Sequence, residues 1–330
     1  MKQAAAALVL LPALFCAGTA APDAPAGDRS AVREWPVEWG GRSRDPYVGP
    51  DGKVWFVGQA GNYIAYFDPK DESFRRYEIE DGTNPHSLIV DADGFVWYAG
   101  NRNGRIGKLD PKSGIAAIHL TGEARDPHTM VFDGKGHIWF TAQQSNRVGR
   151  LDMKTGDYVL LTPYPTPARP YGIVIDGEGY PWVSLLNTNK VVRIDPATLA
   201  LKHYAKATPD SRSRRIEVTA DGAVWYGDEP RGFLGRIDPK TGAVKEYAMP
   251  GGADSRPYAL TRDGAGRLWL SQSGPDKKLV AFDPAREQFV SVNEVSGTIR
   301  HMMYDAKTDA LWFGTDANQI GRVITGRAVK

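Results

Sequence analysis

The amino-acid sequence predicts an all-β protein, a seven-bladed β-propeller with four-stranded antiparallel blades and a ring closed by an N-terminal strand. Three observations lead to this prediction. A turn followed by a tryptophan strand recurs seven times, each recurrence carries four strand-like runs, and the last copy lacks a strand that the N-terminal region can supply. We expect residues 31–330 to form a single propeller domain.

The tryptophan strand is seen in "DGKVWFVG", "DGFVWYAG", "KGHIWFTA", "EGYPWVSL", "DGAVWYGD", "AGRLWLSQ" and "TDALWFGT". Its tryptophans follow one another at intervals of 42, 42, 43, 43, 44 and 43 residues: Trp55, Trp97, Trp139, Trp182, Trp225, Trp269 and Trp312. A bulky ring at one fixed position of every blade is expected to fill the space between neighbouring sheets. These residues are therefore predicted to be core and not a ligand site.

Four strand-like runs fill each repeat, as "HSLIVDA", "FVWYAG", "RIGKLDP" and "GIAAIHL" do in the second copy. Turn residues separate the runs, and the recurrent aspartates of "LDP", "IDP" and "FDP" are interpreted as turn formers. No repeat holds a helical stripe of useful length, which excludes a solenoid of helix pairs.

Ring closure is predicted from the two ends of the repeat array. The chain has no fourth strand after "QIGRV", whereas "AVREWPV" at residues 31–37 resembles the fourth strands "AVKEYAM" and "SFRRYEI". We expect residues 31–37 to complete the seventh blade, so that no open sheet edge remains between the first and last blades.

The N-terminal residues predict export. Residues 1–21 combine a lysine, a short apolar run and small residues suited to signal peptidase. Residues 22–30 are rich in Pro and Ala and are expected to form a flexible leader. A lipid anchor on Cys16 is the alternative, although Phe15 is bulky for such a signal. No later stretch is apolar enough to span a membrane. A periplasmic or secreted location is expected, and the mature chain has no cysteine.

The charge balance argues against nucleic acid as a partner. The chain has 41 basic and 39 acidic residues, a formal charge of +2, so no single-sign field marks it as a polyanion binder. We expect a monomer without a membrane span that binds a small molecule.

One position of the repeat, eleven residues before the tryptophan, is rich in side chains that bind ligands. It holds Arg44, His86, His128, Tyr171, Arg214, Tyr258 and His301. Because the first strand of each blade borders the central channel, these side chains are expected to form a ring at one end of it. They are candidate ligand-binding residues for an anionic or carbonyl-rich molecule, or alternatively caps of the inner strands.

A metal site of His86, His128 and His301 is conceivable, since imidazole suits zinc and copper. Arg44 lies between His301 and His86 in the ring order and would repel a cation, so no metal is expected. Three residues after each tryptophan a second ring contains one acid, Asp228. We expect Asp228 either to bind ligand or to form an ion pair with Arg214 of the same blade.

The repeats "PHSLIVDADGFVWYAGNRNGRIGKLDP" and "PHTMVFDGKGHIWFTAQQSNRVGRLD" resemble those of the virginiamycin B lyase, or streptogramin lyase, family of seven-bladed propellers. The resemblance spans residues 31–323. It implies elimination at the ester of a cyclic depsipeptide, with a histidine base and Mg²⁺ held by carboxylates in the seventh blade.

Carried over by position, the family's base falls on His301, and a substrate-contacting histidine falls on Tyr258. The two expected carboxylates fall on Ile299 and Thr315, with Asp316 next to the latter. No Mg²⁺ or other cofactor is therefore expected here.

Three functions remain open from the sequence. The first is an exported propeller that binds a small anionic, ester or peptide-like ligand over the ring. The second is a lyase that opens a cyclic ester, with His301 as catalytic base and Arg44 or Arg214 in place of the metal. The third is a scaffold for protein partners.

Overall fold

A computed structural model describes residues 32–326, and the predicted signal peptide, leader and Ala31 lie outside these residues. The described residues form seven four-stranded antiparallel sheets arranged in a ring, as predicted. The first strand, β1 (Val32–Pro36), belongs to the last sheet. No helix among residues 32–326 is long and apolar enough to cross a membrane.

Blades one to six each contain four consecutive strands, the first of which lies nearest the axis. Blades one to three consist of β2 (Ser43–Val48), β3 (Val54–Gly58), β4 (Tyr63–Asp68), β5 (Ser73–Glu78), β6 (Pro85–Val90), β7 (Val96–Gly100), β8 (Arg105–Leu109), β9 (Ala116–Leu120), β10 (Pro127–Phe132), β11 (His137–Ala142), β12 (Arg147–Asp152) and β13 (Tyr158–Leu161). Blades four to six consist of β14 (Pro170–Ile175), β15 (Pro181–Leu185), β16 (Lys190–Ile194), β17 (Leu201–Ala205), β18 (Ile216–Val218), β19 (Val224–Asp228), β20 (Phe233–Ile237), β21 (Val244–Ala248), β22 (Pro257–Arg262), β23 (Leu268–Gln272), β24 (Lys278–Asp283) and β25 (Gln288–Glu294). A short 3₁₀ turn, Gly252–Ser255, precedes β22.

The seventh blade joins the two ends of the propeller. It contains β26 (Ile299–Asp305), β27 (Ala310–Thr315) and β28 (Gln319–Ile324), and β1 pairs antiparallel with β28. The pairing runs from Val32 opposite Val323 to Pro36 opposite Gln319. The predicted closure is confirmed, and the backbone groups of β28 that would face outward are paired with β1.

The repeated tryptophans form the core between blades, as predicted. All seven side chains are at most 3% exposed, and each clusters with apolar residues of the following blade. Trp97, for example, clusters with Met130 and Ile138 of blade three. The aspartates of the recurrent "DP" turns accept backbone hydrogen bonds two residues ahead, as Asp110 does from Lys112 at 2.8 Å.

The inner strands are irregular near the channel end where they begin. In six of the seven blades the pairing of the first strand with the second shifts register, for instance between Arg44 and Tyr47 and between Ile299 and Met302. A bulge places two residues opposite one and breaks the alternation of side chains. Neighbouring residues on one inner strand can therefore both face the axis.

Trp35→Ala is expected to lower the free energy of unfolding by about 3 kcal/mol, because Trp35 packs the closing strand against its own blade and against blade one. Its ring lies 4.8 Å from that of Phe67 and 5.9 Å from that of Trp312, centroid to centroid. Chemical denaturation measures the change. Trp39→Ala, at a side chain that is 36% exposed, is the matched control. Equal losses in the two variants would contradict a closing role for β1.

Candidate functional site

Five of the seven predicted ring residues lie in one cluster at one end of the channel. The rings of His86 and His128 lie 3.4 Å apart, and His128 lies 4.2 Å from Tyr171, centroid to centroid. The hydroxyls of Tyr171 and Tyr258 are hydrogen bonded, although blade five separates their blades. The guanidinium carbon of Arg214 lies 4.7 Å from the ring centroid of Tyr258. Side chains far apart in the sequence thus form one continuous cluster.

A buried arginine crosses the channel inside this ring. Arg215, which is 3% exposed, sends Nη2 to Asp45 Oδ2 of blade one at 2.9 Å and Nη1 to Thr129 Oγ1 of blade three at 2.9 Å. Its Nε donates to the carbonyl oxygen of Arg300 in blade seven at 3.2 Å. One side chain therefore links four blades across the axis.

Asp45 is the anion that balances two buried arginines. Its Oδ1 accepts a hydrogen bond from Arg44 Nε at 3.1 Å, and its Oδ2 binds Arg215. Burial alone raises a carboxyl pKa, but the charges of Arg44 and Arg215 lower the pKa of Asp45 far below its usual value. Asp45 also has a left-handed backbone with φ of 48°. The geometry thus keeps a carboxylate ionised in the interior.

Sequence analysis missed Asp45 and Arg215. Both lie ten residues before a tryptophan, next to the predicted ring position, where regular strand alternation directs side chains away from the axis. In blade one the register shift covers Asp45, and in blade five β18 begins only at Ile216, after Arg215. The signal available in the sequence was charge, since Asp and Arg at that position suit neither a blade core nor a turn.

The ring histidines are neutral at pH 7. Burial, with the nearby positive charges of Arg44 and Arg215, lowers the pKa of His86 and of His128 well below the usual value. Burial and Arg215 lower the pKa of His301 to about 3. Arginine side chains, and not imidazolium ions, therefore give this end of the channel its positive charge.

Asp228 does not pair with Arg214, contrary to the sequence-based interpretation. Asp228 is fully buried, with Oδ2 3.0 Å from Arg231 Nη1 and Oδ1 accepting a hydrogen bond from the backbone of Arg212 at 3.1 Å. Arg214 instead pairs with Glu229, with Nε 2.7 Å from Oε2. Because Asp228 faces the blade interior, its neighbour Glu229 is the acid at the surface.

The ring residues border two different cavities. Arg214 and Glu229 line a cleft of about 560 Å³ between blades four, five and six, together with Arg169, Arg212 and Arg256. His301 instead lines an axial cavity of about 350 Å³, with Arg215, Thr129 and the apolar faces of the inner strands. Arg214 and His301, predicted to share one ligand, thus open into separate spaces.

The residues do not fit the Mg²⁺ site that the resemblance implies. Ile299 is buried and apolar, and Thr315 Oγ1 lies 3.3 Å from Ser296 Oγ. Asp316 accepts the backbone hydrogen bond of Thr298 at 2.7 Å and lies 3.7 Å from Arg300 Nη2. Within residues 32–326, no three His, Cys, Asp or Glu side chains form a group suited to a metal ion. The guanidinium of Arg300 therefore lies beside the carboxylate of Asp316.

Comparison with known protein families identifies one family whose sequence model matches this chain. The sequence model of the virginiamycin B lyase family matches residues 32–168 and 161–330. No curated protein matches the chain at a significant level.

Solved structures share the propeller at low sequence identity. Virginiamycin B lyase from Staphylococcus aureus is 21% identical with a TM-score of 0.79, and the match covers 88% of this chain and 98% of that one. A streptogramin B lyase is 23% identical with a TM-score of 0.78, over 88% and 96% of the two chains. The extracellular domain of a B. thetaiotaomicron protein described as a hybrid two-component system is 18% identical with a TM-score of 0.71, over 91% and 43%. At these identities the likeness shows the fold.

Proposed function

The chain belongs to the virginiamycin B lyase family. From this premise we propose that it is an exported propeller that binds a small anionic, ester or peptide-like ligand at the arginine-rich end of its channel. The observation that carries the proposal is the cleft beside the ring. It is lined by four arginines and two carboxylates: Arg169, Arg212, Arg214, Arg256, Glu229 and Asp254. An excess of guanidinium groups in an open cleft attracts carboxylates.

The cleft also offers apolar contact for a peptide-like ligand. Leu186, Pro230 and Ala253 lie among the arginines, and Leu186 packs against Tyr171 and Tyr258 of the ring. A ligand that places a carboxylate or ester oxygen near Arg214 can lay its apolar part on these side chains. Small-molecule sites commonly combine such a surface with a few polar groups.

Export is supported by the sequence features of residues 1–21 and by the fold shared with an extracellular domain.

Small carboxylates are expected to raise the melting temperature of the protein in a saturable way, because a ligand that binds only the folded state stabilises it by mass action. Acetate, succinate, citrate and N-acetylglycine are suitable probes. Arg214→Ala is expected to weaken binding by about tenfold or more, the effect of losing one charged hydrogen-bond donor. The matched control is Arg75→Ala, at an exposed arginine on the outer strand β5.

Thermal shift and calorimetry measure these changes. Equal carboxylate affinity in the wild type and in Arg214→Ala would remove the cleft from the binding site. Equal losses in Arg214→Ala and Arg75→Ala would show that the carboxylates respond to total charge only.

The second candidate function is a lyase that opens a cyclic ester. The observation in its favour is Nδ1 of His301, which borders the axial cavity and has no hydrogen-bond partner among residues 32–326. The lowered pKa leaves this imidazole unprotonated at pH 7 but makes it a weak base. Mass spectrometry of streptogramin B incubated with the protein tests the reaction. A linear product that disappears in His301→Ala supports it, and no product with or without added Mg²⁺ excludes it for this substrate.

A further inference from the structure

Two tyrosine hydroxyls meet in the interior at the arginine-rich end of the channel. Tyr171 and Tyr258 are 4% and 5% exposed, and their oxygens are hydrogen bonded to each other. Among residues 32–326, neither hydroxyl has a further hydrogen-bond partner. The pair is therefore isolated from other protein donors and acceptors.

Counting protons shows that the neutral pair is incompletely satisfied. Two phenols carry two O–H groups, but their single contact uses only one of them as a donor. The other proton then lacks an acceptor, and a buried unsatisfied donor costs about 1–3 kcal/mol. Loss of that proton gives a phenolate that accepts the remaining hydrogen bond.

The charges around Tyr258 favour this loss. The guanidinium carbons of Arg214 and Arg300 lie 4.7 and 5.3 Å from its ring centroid, and Arg44 adds a third positive charge. Burial raises the pKa of Tyr258, but these arginines and the hydrogen bond with Tyr171 lower it overall. Tyr171 keeps its proton, since burial and the charge of Tyr258 raise its pKa.

The pKa of Tyr258 stays lowered, with the three arginines as the main charges acting on it, although carboxylates lie beside them. Each of the three arginines also has a carboxylate neighbour: Asp45 for Arg44, Glu229 for Arg214 and Asp316 for Arg300. On the side of Tyr171, Arg215 adds positive charge 5.8 Å from the ring, and His128 is neutral.

We propose, on the premise of the anion-binding function above, that binding of an anion beside Arg214 is coupled to uptake of a proton by Tyr258. The anion and the Tyr258 phenolate compete for the same guanidinium groups and repel each other. Binding therefore converts the phenolate and one proton from solvent, or from an acidic ligand, into the neutral phenol. The proton acceptor in this coupling is Tyr258, since His301 lines the separate axial cavity.

The first test needs no ligand. In a spectroscopic titration of tyrosinate absorbance, one tyrosine is expected to ionise at a lower pH than the others. This step should be absent in Tyr258→Phe and present in Tyr158→Phe, which removes a tyrosine that is 40% exposed. Tyr171→Phe should move it to higher pH by removing the hydrogen-bond donor. A titration unchanged by Tyr258→Phe overturns the proposal.

The second test measures affinity for succinate against pH by calorimetry. Above the pKa of Tyr258 the affinity of the wild type should fall by about tenfold per pH unit, the slope for uptake of one proton. In Tyr258→Phe the affinity should be independent of pH over the same range. Buried Lys206, whose pKa is about 7, is titrated in both proteins, so the comparison is made above about pH 8. Parallel slopes in the two proteins overturn the coupling.

The two tests separate the coupling from the proposed function. If the wild type binds no succinate, both the coupling and the proposed carboxylate site are refuted. The ligand-free titration still shows whether Tyr258 ionises at a lower pH than the other tyrosines. Succinate binding with a flat pH profile leaves the proposed function standing and refutes only the coupling. Circular dichroism of each variant confirms that it is folded.

Discussion

Asp45→Ala is expected to lower the free energy of unfolding by roughly 3–5 kcal/mol, the usual cost of leaving buried charge unpaired. Asp45 is 1% exposed and lies between the guanidinium groups of Arg44 and Arg215. Its removal leaves two buried cations without an anion. Arg215→Met should cost less, since Asp45 then keeps Arg44 as its partner.

The comparison of variants distinguishes loss of the pair from loss of a side chain. In Asp45→Ala/Arg215→Met only one buried cation is left, so the double variant should be less destabilised than the sum of the single changes. Asp81→Ala, at an exposed aspartate between blades one and two, is the control. Denaturation by urea measures the wild type and the four variants. Strict additivity of Asp45→Ala and Arg215→Met would show that the pair contributes nothing as a unit.

Protonation of the Asp45 carboxylate is expected to lower the stability of the protein in acid. The pKa of Asp45 is lowered in the folded state, so its contribution is fully present above the unfolded pKa of about 4 and is lost as pH falls towards the folded value. The wild type should therefore lose stability below about pH 4 more steeply than Asp45→Ala.

In the wild type, titration of Lys206 is expected to raise the free energy of unfolding by about 4 kcal/mol between pH 7 and 10. Lys206→Met should remove this dependence on pH. Lys206 is 3% exposed, and burial lowers its pKa to about 7, against a partial compensation by Asp228. Its Nζ donates to Ser213 Oγ at 3.1 Å. The amine is therefore held where a charge is poorly solvated.

Whether the free energy of unfolding rises or falls with pH depends on the number of protons that the folded and unfolded states bind. Between the folded pKa of about 7 and the unfolded value of about 10.4, the unfolded chain binds one more proton at Lys206 than the folded one. Stability due to this group thus rises with pH across that window and is constant below it.

The measurement is the free energy of unfolding of the wild type minus that of Lys206→Met at several pH values, since other titrating groups cancel in the difference. Lys202→Met, at an exposed lysine on the outer strand β17 that ends just before Lys206, is the control and should give a difference that is independent of pH. A flat difference for Lys206→Met as well would mean that Lys206 stays protonated and solvated in the folded protein.

Some of the site could be predicted from the sequence because each blade repeats the same register. The position eleven residues before the tryptophan precedes or begins the first strand of each copy, so Arg44 and His301 were expected near one another although they lie 257 positions apart in the sequence. Pairing partners were not predictable in this way. Asp228 joined Arg231 and Glu229 joined Arg214, because one residue of offset at the end of β19 decides which acid faces inward.

By itself, the sequence determined the propeller, its seven blades, the tryptophan core and the closing strand, because these depend on spacing and alternation that are local and repeated. Only the tertiary structure decided the charge of the site. The span of Arg215 across the channel to Asp45, the contact of Tyr171 with Tyr258 and the neutrality of the histidines all depend on burial and on distances between blades. Burial and the distances between blades are set only when the ring closes and water is excluded from its axis. They therefore cannot be predicted from the sequence of any single repeat.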